Sequence, residues 1–245
     1  MSTELTHLAE TIRSNYLRVQ NRIEKAALHV GREPADICLV VVTKGQPIEK
    51  VNAVIAAGAR HLGENYVEDA IPRVIALSDQ KNLTWHMIGH VQSRKTRLVC
   101  EHFDWIHSLD SVRLASRLNN TLEEFKKKLP VLLEMNVSGE ESKFGFPAWD
   151  EMKWSELEEQ VSQIIILPNI EICGLMTMAP FSLNTEDSRS HFQRLRELLH
   201  RLADIYPQAR WSELSMGMSS DFEVAIQEGA TIVRVGEAIL GKRPG

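Results

Sequence analysis

Cysteine is scarce in this chain: three residues among 245, Cys38, Cys100 and Cys173, far apart and odd in number. No two of them stand as C-x-x-C. This argues against a disulfide framework or a structural zinc, and for a reducing compartment. Long apolar runs are also missing. No stretch approaches the ~20 apolar residues that cross a bilayer. The N-terminal segment carries charges throughout and has no apolar core of a secretory signal. A cytoplasmic protein without a membrane partner is expected. Positive charge is not in excess: 28 Lys and Arg against 33 Asp and Glu give −5. That argues against a nucleic-acid partner. The one basic run, Lys126, Lys127 and Lys128, is expected to end a helix, where cations suit the dipole. No linker-like stretch divides the chain, so residues 1–245 read as one domain.

Hydrophobic spacing supplies the architecture. Leu5, Leu8, Ile12, Tyr16, Val19, Ile23, Ala26 and Ala27 recur at helical intervals and predict a helix over 1–32. From residue 36 on, strand-like and helix-like segments alternate. Strands are expected near 37–43, 60–64, 84–88, 104–108, 130–137, 170–177, 211–216 and 231–235. Helices are expected at 47–57, 66–77, 91–101, 111–127, 149–163, 186–205 and 221–228. Strict strand-then-helix order predicts a parallel sheet. Eight such units predict a (β/α)8 barrel over 36–245. A doubly wound open sheet is the alternative, but the Gly-rich phosphate turn it would show after its first strand is absent. The polar stretch "SGEESKFGFPAW" reads as a mobile loop at the site.

In such barrels chemistry sits at the C-terminal ends of the strands. Lys44 stands there, after "ICLVVVT". It is either a solvated strand-end charge or an amine that condenses with a carbonyl. Ser220 and Glu223 have capping-box spacing, which would leave Ser219 free beside a helix start. Gly236 follows the last strand, and its amide with that of Glu237 could face an anion. Ser219 and Gly236 are otherwise ordinary turn residues. A lysine and a phosphate site at one barrel mouth fit a sugar phosphate or pyridoxal 5′-phosphate. Arg234 shares the inward face with Gly236. It would face a pyridine nitrogen, or pair with a strand-end acid such as Glu64. His86 and His90 stand four apart without the glutamate of a zinc helix, and are expected to serve local packing or backbone hydrogen bonding. His102, His107, His191 and His200 show no shared cluster. Lys143 reads as an exposed loop charge, with closure over the site as the alternative.

The stretches "VVVTKGQP", "GARHLGENYVED", "WHMIGHVQSRKTR", "VLLEMNVSGEESKFGF", "ICGLMTM", "ELSMGMSSDFEVAI" and "VRVGEAILGKR" occur in this order. In them the chain resembles the pyridoxal 5′-phosphate homeostasis protein family, single-domain relatives of the N-terminal barrel of bacterial alanine racemase. The resemblance implies pyridoxal 5′-phosphate as cofactor, with Lys44 as the aldimine residue. Ser219 and the backbone of Gly236 and Glu237 would hold the phosphate, Arg234 would face the ring nitrogen, and Asn65 would lie near the ring. Met87, at the end of the third strand, is a further candidate for contact with the cofactor. Where this chain has Arg94 and Glu237, the family usually has asparagine and a small residue. Racemases add a tyrosine from a second domain as the opposite acid/base. Here the tyrosines are Tyr16, Tyr66 and Tyr206, and Tyr66 reads as a packing residue at a helix start. The resemblance therefore implies a monomer that buffers the cofactor, and hands it to apo-enzymes, with little or no catalysis. A racemase-like enzyme and a Schiff-base aldolase are the alternatives.

Overall fold

The structure, a computed structural model, describes residues 3–243. Its strands are β1 (Cys38–Val42), β2 (His61–Glu64), β3 (Thr84–Met87), β4 (Trp105–Leu109), β5 (Leu129–Asn136), β6 (Phe146–Pro147), β7 (Ile170–Met176), β8 (Glu213–Ser215) and β9 (Ile232–Val235). They run β4-β3-β2-β1-β9-β8-β7-β5, with β4 pairing β5 to close the ring and β6 lying on the edge of β5. All pairings are parallel. The eight expected strands are the barrel. The two-residue β6 falls in the stretch expected to be an irregular loop.

Apolar residues divide by parity along each strand. Val40, Leu132, Cys173, Met176 and Ile232 fill the hollow of the barrel. Their neighbours on the opposite face, Val41, Leu133, Leu175 and Val233 among them, join the larger core beneath the helices. The β5–β7 register slips between Val131 and Leu132. Gly174 takes up the slip with φ +153°, and a Cβ there would stand 1.9 Å from Glu213 O. No other residue fits that position.

The helices are α2 (Ile48–Ala56), α3 (Val67–Ala76), α4 (Thr96–His102), α5 (Val112–Phe125), α6 (Trp154–Ile165), α7 (Arg189–Ile205), α8 (Phe222–Gln227) and α9 (Glu237–Leu240). Helices α4, α6 and α7 each begin later than periodicity suggests, because a 3₁₀ turn precedes them. Helix α5 is capped by Ser111, which accepts from Leu114 N–H at 3.3 Å. It ends at Lys126 in the left-handed region (φ 53°), the start of the lysine run.

Helix α1 (Thr3–His29) lies outside the ring and packs on α2, α8 and α9. It buries Ile12, Tyr16, Val19, Ile23, Ala26 and Ala27, one stripe at helical spacing. Asn15 Nδ2 donates to Ile239 O of α9 at 3.1 Å, and Arg22 pairs with Glu223 of α8 at 2.6 Å. The first helix thus braces the two short helices that follow β8 and β9. No helix among the described residues is long and apolar enough to cross a membrane. Cys38, Cys100 and Cys173 are free thiols.

Candidate functional site

The C-terminal ends of the strands open on a cavity of about 340 Å³. Lys44, just beyond β1, lines it together with Asn65, Ser219, Arg234, Gly236 and Glu237. Six residues expected at the site, drawn from the ends of four strands, therefore share one space. Met87 does not join them. It is fully buried in the core beneath the helices, and Ile88, one position on, lines the cavity instead. In the strand register His86 aligns with Gly63, which places His86 inward and Met87 outward. Gln46, Met178, Phe181 and Arg243 also line the cavity, and sequence reasoning did not single them out.

Lys44 Nζ makes no hydrogen bond or ion pair among the described residues. Burial, and then the Arg243 and Arg234 charges, hold its pKa below the ordinary lysine value, while Glu64 opposes them. A half-buried amine of lowered basicity is a better nucleophile at neutral pH, because more of it is unprotonated.

The other side of the cavity offers hydrogen-bond donors. Ser219 lies between β8 and α8, and its Oγ accepts from Ala238 N–H at 3.4 Å. Gly236 caps α9, and neither its N–H nor that of Glu237 meets a backbone acceptor among the described residues. A Cβ on Gly236 would stand 3.1 Å from Val42 O, so the loop lies close to β1. The Glu237 side chain is exposed, which leaves its amide for the cavity. Ser220 is not the cap of α8. Asp221 holds that position, and its Oδ1 accepts from Met218 N–H at 2.7 Å.

Arg234 projects inward from β9 and is 3% exposed. It donates to Ser215 Oγ at 2.5 Å and to Thr177 O at 2.8 Å. Burial lowers its pKa to about 10, against the favourable charges of Glu134 and Asp221. The pairing with Glu64 does not form. Glu64 instead accepts from Arg73 Nη1 and Thr43 Oγ1, each at 2.5 Å. Arg234 thus keeps its positive charge without a carboxylate in contact.

Several sequence candidates lie away from the cavity. His90 pairs with Asp110 at 2.8 Å and stacks on Phe144. Lys143 is not a free loop charge: it donates to Met178 O at 3.0 Å and pairs with Glu140. Arg94 is exposed and bonds Gln92. His86 packs locally, stacked on Trp105, as expected. Sequence reasoning missed its company: the rings of His61, His86 and His107 are hydrogen-bonded in series inside the barrel.

The residues fit an anionic, ring-bearing ligand. Gln46 Oε1 and Asn65 Oδ1 are buried in the cavity wall without a partner, which is a cost unless a ligand donates to them. Unclaimed amides and four cationic side chains, Lys44, Arg234, Lys242 and Arg243, surround the same space.

The closed eight-stranded parallel barrel is the fold of the alanine racemase N-terminal domain, and that family matches residues 10–244. Alanine racemase of Clostridium difficile shares the fold at TM-score 0.67 and 16% identity, covering 96% of this chain and 58% of its own. Within this class the chain belongs to the pyridoxal phosphate homeostasis protein family. The protein of that name from Pseudomonas aeruginosa is 42% identical over 233 residues, which is 95% of this chain and 96% of the relative. PipY of Synechococcus elongatus, solved with PLP bound, is 36% identical at TM-score 0.78, covering 91% of this chain and 100% of its own.

Proposed function

We propose that this protein binds pyridoxal 5′-phosphate reversibly through Lys44, buffers its free concentration and hands it to apo-enzymes. The observation that carries the reading is the shared cavity. Among the described residues, an amine with no bonding partner lines the same 340 Å³ as amides with no backbone acceptor and a guanidinium with no carboxylate in contact. When bound, the cofactor supplies an aldehyde for the amine, a phosphate for the cradle and a pyridine nitrogen as acceptor.

Each residue then has a task. Lys44 attacks as the neutral amine, which its lowered pKa favours. Ser219 Oγ and the amides of Gly236 and Glu237 hold the phosphate, because N–H groups at a turn concentrate positive potential. Arg234, a donor that stays charged, holds the ring nitrogen unprotonated. That weakens the ring as an electron sink and with it any carbanion chemistry. Asn65 and Ile88 flank the ring.

Binding without turnover is supported by what surrounds the lysine. No tyrosine lines the cavity among the described residues. Tyr16 is buried in α1, and Tyr66 and Tyr206 sit at the ends of α3 and α7. Proton transfer from both faces needs a second acid/base. The free thiols favour a cytoplasmic setting, and we read the working form as a monomer.

The test is chemical. Purified protein incubated with pyridoxal 5′-phosphate should turn yellow, and borohydride should fix the label on the peptide that contains Lys44. A colourless protein, or a label elsewhere, overturns the reading. A substantial rate of alanine α-proton exchange would favour a racemase.

A further inference from the structure

Five inward-facing side chains form one continuous chain through the barrel. His61 Nδ1 lies 3.0 Å from His86 Nε2, and His86 Nδ1 lies 2.9 Å from His107 Nε2. His107 Nδ1 is 2.9 Å from Ser215 Oγ, which accepts from Arg234 Nη1. The residues come from β2, β3, β4, β8 and β9. The step from His107 to Ser215 crosses the hollow, because β4 and β8 are not neighbours in the ring. Half-buried His61 opens β2 at the base of the barrel, and Arg234 stands near the mouth. Trp105 stacks on His86 and meets His107 edge-on.

Donor capacity fixes the direction of this chain. Arginine can only donate, so Ser215 Oγ accepts from it. Among the described residues the serine hydroxyl has one other partner, His107 Nδ1, and its proton points there. That leaves His107 protonated on Nε2, which donates to His86 Nδ1. By the same logic His86 carries its proton on Nε2 and donates to His61 Nδ1. All three rings are neutral Nε2–H tautomers, and every lone pair in the series points toward Arg234. No carboxylate bonds any of the three rings among the described residues. Burial holds His86 down to about 3 and His107 well below the ordinary histidine value, so neither is an imidazolium near neutral pH. Glu134 and Asp221 favour the guanidinium charge from a distance, but neither bonds it.

We propose that Ser215, His107, His86 and His61 are positioning residues: one aligned hydrogen-bond series that orients Arg234 and supports its charge with dipoles in place of a carboxylate. Aligned neutral dipoles polarise one another and stabilise a cation without cancelling it. Arg234 therefore stays a charged donor toward the cavity. What it meets there rests on the cofactor reading above; the series itself does not.

Ring-nitrogen NMR of ¹⁵N-labelled protein without cofactor, at neutral pH, tests the direction. All three rings are expected to carry the proton on Nε2, and a proton on Nδ1 of any of them overturns the proposal. Ser215→Ala removes the group that sets the direction. Its ring-nitrogen shifts should change at His107 and, through the series, at His61. It should also move the absorption band of bound pyridoxal 5′-phosphate and weaken binding by about threefold to tenfold, as for loss of one hydrogen bond. Ser215→Thr, which keeps the hydroxyl, should restore the band. Unchanged His61 nitrogens or an unmoved band in Ser215→Ala would sink the coupling. If Ser215→Ala fails to fold, the wild-type tautomers still decide. Failure of the wild type to bind the cofactor would overturn the proposed function while leaving the tautomer result intact.

Discussion

Arg73 Nη1 lies 2.5 Å from Glu64 Oε1, so the acid that ends β2 is engaged by an arginine of α3 and not by Arg234. Glu64 is 1% exposed at its side chain and Arg73 only 12%. The pair leaves one buried guanidinium at the site with neutral partners alone. Arg73→Ala would strand Glu64 with only Thr43, and removing one member of a buried pair costs about 3–5 kcal/mol. Urea denaturation should show a loss near the lower end of that range, since the Thr43 bond survives. A loss below about 1 kcal/mol would mean that water replaces the arginine.

Lys44→Ala should still bind pyridoxal 5′-phosphate, without a covalent link and more weakly, because the cradle and Arg234 remain. Equilibrium dialysis measures this directly. An affinity equal to the wild type would show that the amine contributes nothing.

Ser219→Ala should weaken cofactor binding by about 1–3 kcal/mol, the range for a hydrogen bond to a charged group. The variant should keep its fold, since Ser219 Oγ accepts one long bond from Ala238 N–H. Unaltered binding in titration calorimetry would remove Ser219 from the phosphate site.

Glu134 sets a pH dependence. Burial, foremost, and then Asp110 raise its pKa from 4.5 to about 7. Its Oε2 is buried without a partner, which also disfavours the charged form. A carboxyl with a raised pKa adds stability below its unfolded value, and loses that contribution as pH rises through the folded value. Relative to the wild type, Glu134→Gln should thus gain stability between pH 5 and pH 8, by on the order of 2–3 kcal/mol. A difference that stays constant over this window would refute the assignment.

The barrel was legible because each buried strand is a short β-branched or apolar run between turn residues, as in "ICLVVVT" before Lys44. The edge pair at Phe146 and Pro147 was not, since two residues carry no periodicity. At Met87 and Ile88 the signal was ambiguous by one position, and one position reverses the face of a strand. Ser219, Ser220 and Asp221 can each cap a helix, and the loop closes on Asp221 through Met218 N–H. The histidine series left no trace in the sequence. Its members are brought together only by the closure of the ring, His107 and Ser215 from 108 positions apart. Arg243 reaches the cavity from the far end of the chain, near Gly45, a proximity that spacing does not encode.

Helix α1 leans on α8 and α9 through Arg22 and Asn15, and β1 finds one of its two neighbours in β9. Segments more than 190 positions apart must therefore meet before the pocket exists. With β9 undocked there is neither a closed ring nor the Gly236 turn at its mouth. Closing the ring and forming the cavity are for that reason one event, not two.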